Sequence, residues 1–96
     1  PEALEAGINQ LKAGAFADAL ARLKVAQAEA PEDPMVWAAL ASAHLGLLEG
    51  EQAAAAYRRA LSTASEAAQP ALHFGLGEAL RVQGEDAEAR KAFAAA

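Results

Sequence analysis

Residues 16–26 read FADALARLKVA, residues 50–60 read GEQAAAAYRRA and residues 86–96 read DAEARKAFAAA. Superimposed, the three stretches place a small residue, a large one four positions on, and an alanine three beyond that. The triplets are Ala19, Leu23, Ala26, then Ala53, Tyr57, Ala60, then Ala89, Phe93, Ala96. Steps of four and three put all three residues of a triplet on one helix face. The second copy follows the first by 34 positions and the third follows the second by 36. Self-similarity of that period marks stacked helical hairpins, because one hairpin cannot bury its whole apolar stripe and a neighbour completes the core.

Outward from these copies, the breakers Gly14, Pro31 to Pro34, Gly50, Pro70 and Gly84 cut the chain into six segments of helix length. Leu4, Ile8 and Leu11 recur with helical period in the first segment, and Trp37, Leu40, Ala41, His44, Leu45 and Leu48 occupy the third. Asp33 before Pro34 predicts a helix start: the carboxylate accepts orphan amide hydrogens, and proline gives up a donor that had no partner. A further start is expected at about residue 69. The acidic group Glu85, Asp86 and Glu88 suits the positive end of a last helix.

Composition narrows the function. Of the 54% apolar residues most are alanine, the best helix former and a poor strand residue. No apolar run approaches membrane-spanning length, so no membrane insertion is expected. No basic, apolar leader precedes the first segment. A net charge of −5 has the wrong sign for gripping nucleic acid, and Arg58, Arg59, Arg90 and Lys91 are too sparse for a basic stripe. With no cysteine, disulfides and thiolate zinc sites are excluded. Pro1 in place of an initiator methionine, and the terminal run Ala94 to Ala96, give the look of a piece of a longer protein. Alanine richness points to a bacterial, GC-rich source. Nothing separates cytoplasm from periplasm.

Read together, the chain resembles the tetratricopeptide repeat family over essentially its whole length. Repeat one, residues 1–33, carries Gly7, Gly14, Phe16, Ala19, Leu23, Ala26 and Pro31, with Ala3 in place of the family's tryptophan. Repeat two, residues 34–69, carries Trp37, Leu40, Ala53, Tyr57, Ala60 and Leu61, but has Leu48 where the turn glycine is usual and Gly50 two positions later. Repeat three, residues 70–96, carries Leu76, Gly77, Gly84, Ala89 and Phe93 and is cut short. The resemblance implies a single all-α domain, a right-handed superhelical array of about three antiparallel helix-turn-helix repeats.

That frame assigns roles. Gly7, Ala41 and Gly77 on the first helices are expected to face Ala19, Ala53 and Ala89 on the second, small side chains letting the axes approach. Trp37, Leu40, Tyr57, Leu61, Leu76 and Phe93 fill the space beside them, and Trp37→Ala is expected to cost about 3–5 kcal/mol. His44 and His73 fall at packing positions between helices. Without cysteine, a His pair at one-turn spacing or a nucleophile motif, no catalytic or metal site and no cofactor is expected. Gly75-Leu76-Gly77 lacks the strand and the lysine of a phosphate loop.

The resemblance also implies a concave groove lined by first helices. Its positions here are Leu4, Ile8, Leu11 and Lys12 from repeat one, Ala38, Ser42 and Leu45 from repeat two, and Phe74, Glu78 and Arg81 from repeat three. The lysine and asparagine clamp of the chaperone-tail-binding subfamily is replaced by Leu4 and Ile8. The implied function is non-catalytic protein–protein interaction, with an apolar or amphipathic peptide or helix in the groove. The alternatives are a structural spacer in a larger protein, and self-association through the last helix with Phe93 partly bare. A third alternative has Leu4, Ile8 and Leu11 as core beneath a flanking helix.

Overall fold

The computed structural model describes residues 2–84 and 86–96, and for Asp86, Ala87 and Ala89 the backbone alone. Expectations resting on Pro1, on Glu85 and on the side chains of Asp86 and Ala89 lie outside the described residues. Six helices follow in order: α1 (Glu2–Lys12), α2 (Phe16–Glu29), α3 (Pro34–Gly46), α4 (Gly50–Thr63), α5 (Gln69–Val82) and α6 (Asp86–Ala95). There is no strand among the described residues. Asp33 caps α3 as its sequence requires, its carboxylate accepting from the Met35 amide at 2.9 Å. The start of α5 at Gln69 has no side-chain cap. It is led in by a short 3₁₀ turn, Glu66–Ala68, that periodicity did not signal.

Short turns join α1 to α2, α3 to α4 and α5 to α6, and each of these pairs packs side by side. The pairs then join through α2 on α3 and α4 on α5. The odd-numbered helices also touch along the molecule, α1 on α3 and α3 on α5. Among the described residues the backbones of α2 and α4 stay apart, as do those of α4 and α6, and of α1 and α5. The result is an open row, 37 × 26 × 19 Å, and not a bundle closed about one axis.

Gly14, Leu48 and Gly84 occupy the same point of the three turns. All three adopt positive φ, at 79°, 60° and 83°. Each donates its amide to the carbonyl three residues back, Leu11, Leu45 and Arg81, at 2.9–3.0 Å. In the first two turns the next amide reaches back five residues, from Ala15 to Gln10 and from Glu49 to His44. This is the left-handed helix ending that glycine favours. Leu48, where glycine is missing, therefore takes the turn conformation itself, while Gly50 lies inside α4. A leucine in this region costs of order 1–3 kcal/mol, and glycine gives back about 0.5–1 of that in chain entropy. Leu48→Gly is expected to raise stability by about 1 kcal/mol, read as a higher denaturant midpoint at unchanged slope.

The core is alanine-rich and continuous through the row. Ala19, Leu23 and Ala26 are buried, as are Ala53, Tyr57 and Ala60. In the third copy Phe93 is half-buried and Ala96 exposed. Close approach follows small against large, which differs from the small-on-small pairing expected. A Cβ added to Gly7 would lie 2.6 Å from Leu23, and one added to Gly77 would lie 2.5 Å from the Phe93 ring. The facing group in each case is the large residue one turn beyond the alanine. Gly75 likewise admits the Tyr57 ring, and Gly46 admits Phe16.

Trp37 is only half-buried, which corrects the expectation of a core residue. Its Nε1 donates to the Pro31 carbonyl at 2.7 Å, and the Arg59 guanidinium lies 5.5 Å from its ring centroid. Arg59 in turn bonds Glu32 at 2.8 Å. Trp37 thus ties the α2–α3 loop to α4, and its truncation removes a half-buried ring and a hydrogen bond; the cost falls below the range for a fully buried tryptophan.

Candidate functional site

The groove positions expected from the sequence lie on α1, α3 and α5, with α3 touching both of the others. Leu45, Glu78 and Arg81 come together with Leu48 and Val82 around a hollow of about 370 Å³ at the turn end of α3 and α5. Phe74, 53% exposed, stands on α5 with its ring 5.5 Å from that of Phe93. The Arg81 guanidinium lies over the other ring of this pair, 5.6 Å from the Phe93 centroid. Packing between α5 and α6 therefore holds Arg81 and Phe74 in one mixed apolar and cationic surface. The Phe93 ring, expected to lie partly bare, is half-buried, with α5 engaging it.

Ser42 lies deeper, its Oγ 3.4 Å from the hydroxyl of Tyr57. Tyr57 was legible only as a packing residue on α4. Its ring does pack, against Gly75, but its hydroxyl reaches the α3–α5 seam, near enough to Glu78 to feel its charge. Burial pushes the Tyr57 phenol above its usual 10.0; the Ser42 hydrogen bond opposes the shift and the Glu78 carboxylate adds to it. The folded chain therefore holds this proton more tightly than the unfolded chain. The contribution is intact below pH 10.0 and is lost as pH climbs through the raised value. Tyr57→Phe should flatten the fall of melting temperature above about pH 10, measured against the wild type.

The α1 positions do not join this hollow. Leu4 lines a separate one of about 240 Å³ with Ala26, Glu29, Ala30, Asp33 and Val36. Ile8 and Leu11 are half-buried against the core, as is Ala38 on α3, and Lys12 is exposed. Of the expected groove positions, those brought together are thus on α3 and α5.

The opposite side carries hollows that sequence reasoning missed. One, of about 540 Å³, lies between α2 and α4 over Trp37, Leu40 and His44 of α3. A second, of about 220 Å³, lies beside α6 over His73, Leu76 and Leu80 of α5. Trp37 and His73 are 36 positions apart, as are Leu40 and Leu76, and His44 and Leu80, so the two are one structural feature repeated. His44, expected to pack between helices, is part-buried and also bonds the Glu49 carboxylate at 2.8 Å. The signal for this contact was the five-residue spacing across the turn.

Among the described residues no three His, Cys, Asp or Glu side chains gather as a metal site. No described helix is long and apolar enough to cross a membrane. No family model matches the chain, and no match was found among curated proteins.

Proposed function

We propose that the chain is an array of three tetratricopeptide-like hairpins, wound as a right-handed superhelix. In this reading it acts without catalysis as a protein-interaction module, holding an apolar or amphipathic peptide or helix against the side formed by α1, α3 and α5. A row in which neighbouring odd helices touch and the backbones of even ones stay apart bends toward the odd side, which supports a concave face there. The observation that carries the reading is the surface of Phe74, Leu45, Glu78 and Arg81. Phe74, Leu48 and Val82 stay open to water there, beside the Glu78 carboxylate and the Arg81 cation, the latter held over the Phe93 ring. Apolar anchors flanked by fixed charges are what recognition of an amphipathic segment requires.

Selection of binding peptides from a displayed library on the whole chain, followed by titration, tests this. Phe74→Asp and Arg81→Glu are both largely solvent-facing changes, and each should weaken the selected peptide tenfold or more. Peptides whose affinity is untouched by both changes, but lost on Lys24→Glu at the α2–α4 hollow, would place recognition on the opposite side.

A further inference from the structure

Leu48 combines two unfavourable features that have no return inside the fold. Its backbone sits in the left-handed region, at φ 60°, at the turn position where the other hairpins have Gly14 and Gly84. Its side chain is 74% exposed, more than any other large apolar group among the described residues. Unlike Leu45, it is not packed against the core. At the two equivalent glycines an added Cβ would meet nothing within 4 Å, so a side chain leaving this point of the turn enters open space. A residue that strains the backbone without packing on the core contributes through what it presents to solvent. Strain of this kind gathers at binding sites.

Leu48 borders the hollow at the turn end of α3 and α5. Val82, also exposed, lines it from the end of α5, with Glu78 and Arg81 about a turn before. Among the described residues neither Glu78 nor Arg81 forms a salt bridge. The other two turns offer only a glycine at this point, so the middle hairpin alone presents a large side chain there.

We infer that Leu48 is an anchor for the partner and that the occupant of this hollow is a turn of an amphipathic helix. That turn lodges a large apolar side chain between Leu48 and Val82, with a base toward Glu78 and an acid toward Arg81. The assignment rests on the interaction reading proposed above and names the chemistry of its partner. A purely apolar segment would take Glu78 and Arg81 out of water and leave both unpaired, whereas a segment carrying both signs replaces the lost hydration. Helix-in-groove recognition supplies that arrangement, since residues three and four apart share one face.

Helical peptides selected from a displayed library on the whole chain, titrated against variants, test it. Leu48→Gly and Leu48→Asn both suit a left-handed turn, so the denaturant midpoint should hold or rise. Affinity should nonetheless fall about tenfold for each, and also fall for Val82→Ser. Gained stability with lost binding is not what a packing leucine gives. A peptide whose base is exchanged for glutamate should lose affinity for the wild type and regain it on Glu78→Lys; no such recovery overturns the assigned occupant. A peptide weakened by Phe74→Asp and Arg81→Glu but bound equally by both Leu48 variants overturns the anchor and leaves the interaction reading standing. A lower denaturant midpoint for both Leu48 variants also overturns it, since the side chain would then belong to the packing. Peptides indifferent to every one of these changes remove the anchor and the reading together.

Discussion

Leu23→Ala should lower the unfolding free energy by about 2–5 kcal/mol, toward the upper part of that range. Leu23 is fully buried, and it packs onto Gly7, which has no side chain to move into the space left behind. The site therefore collapses poorly, and the cavity term adds to the lost transfer free energy. For a chain of this length total stability is about 5–14 kcal/mol, so the change removes a large fraction of it. Chemical denaturation monitored by circular dichroism measures the loss. Gly7→Ala supplies a sharper version of the same test. In the wild type its methyl would collide with Leu23 and destabilise; in the Leu23→Ala background it fills the void and restores stability. Opposite signs in the two backgrounds are the expected result, and simple additivity would contradict the contact.

Gly50→Ala should destabilise by about 1–3 kcal/mol, although alanine is the better helix residue. Gly50 opens α4 where α5 crosses it. A Cβ there would lie 2.7 Å from the Ala79 carbonyl oxygen and 2.9 Å from the Gln83 side chain. The first neighbour is backbone inside α5 and cannot yield without moving the helix, so packing outweighs a propensity gain of about 1 kcal/mol. Equilibrium denaturation reads the sign directly. A stabilised Gly50→Ala would mean that α4 and α5 sit further apart.

Much of the fold was legible because the helical period and its punctuation are local properties. Asp33 with Pro34 marks the start of α3, Gly14 and Gly84 mark two turns, and the triplets about Leu23 and Tyr57 are buried where the repeat placed them. What escaped was decided by neighbours distant in sequence. Periodicity says that Gly7 and Gly77 are equivalent, but not that Leu23 and Phe93 fill the space opposite. It identifies Trp37 as large and apolar, without revealing that its indole bonds a loop carbonyl under Arg59. Leu48 keeps its turn because hydrogen bonds on both sides hold it there, against the residue's own preference.

The candidate site divides along the same line. Leu45, Glu78 and Arg81 could be grouped from equivalent positions, and they do share one hollow. Leu4, Ile8 and Leu11 occupy equivalent positions too, yet they pack elsewhere, and Tyr57 enters the site from the other layer through its hydroxyl. Equivalence in sequence fixes which helix a residue belongs to. The groups across from it decide whether it faces water.

The open row itself is tested most directly by a single distance. Because the chain has no cysteine, thiols placed at Glu5 on α1 and Lys91 on α6 can be spin-labelled cleanly and measured by pulsed electron resonance. A stack in which the first and last helices are separated by two to three helix spacings predicts about 20–30 Å between them. A separation of about 10 Å, one spacing, would mean that α1 and α6 meet and that the helices close into a bundle.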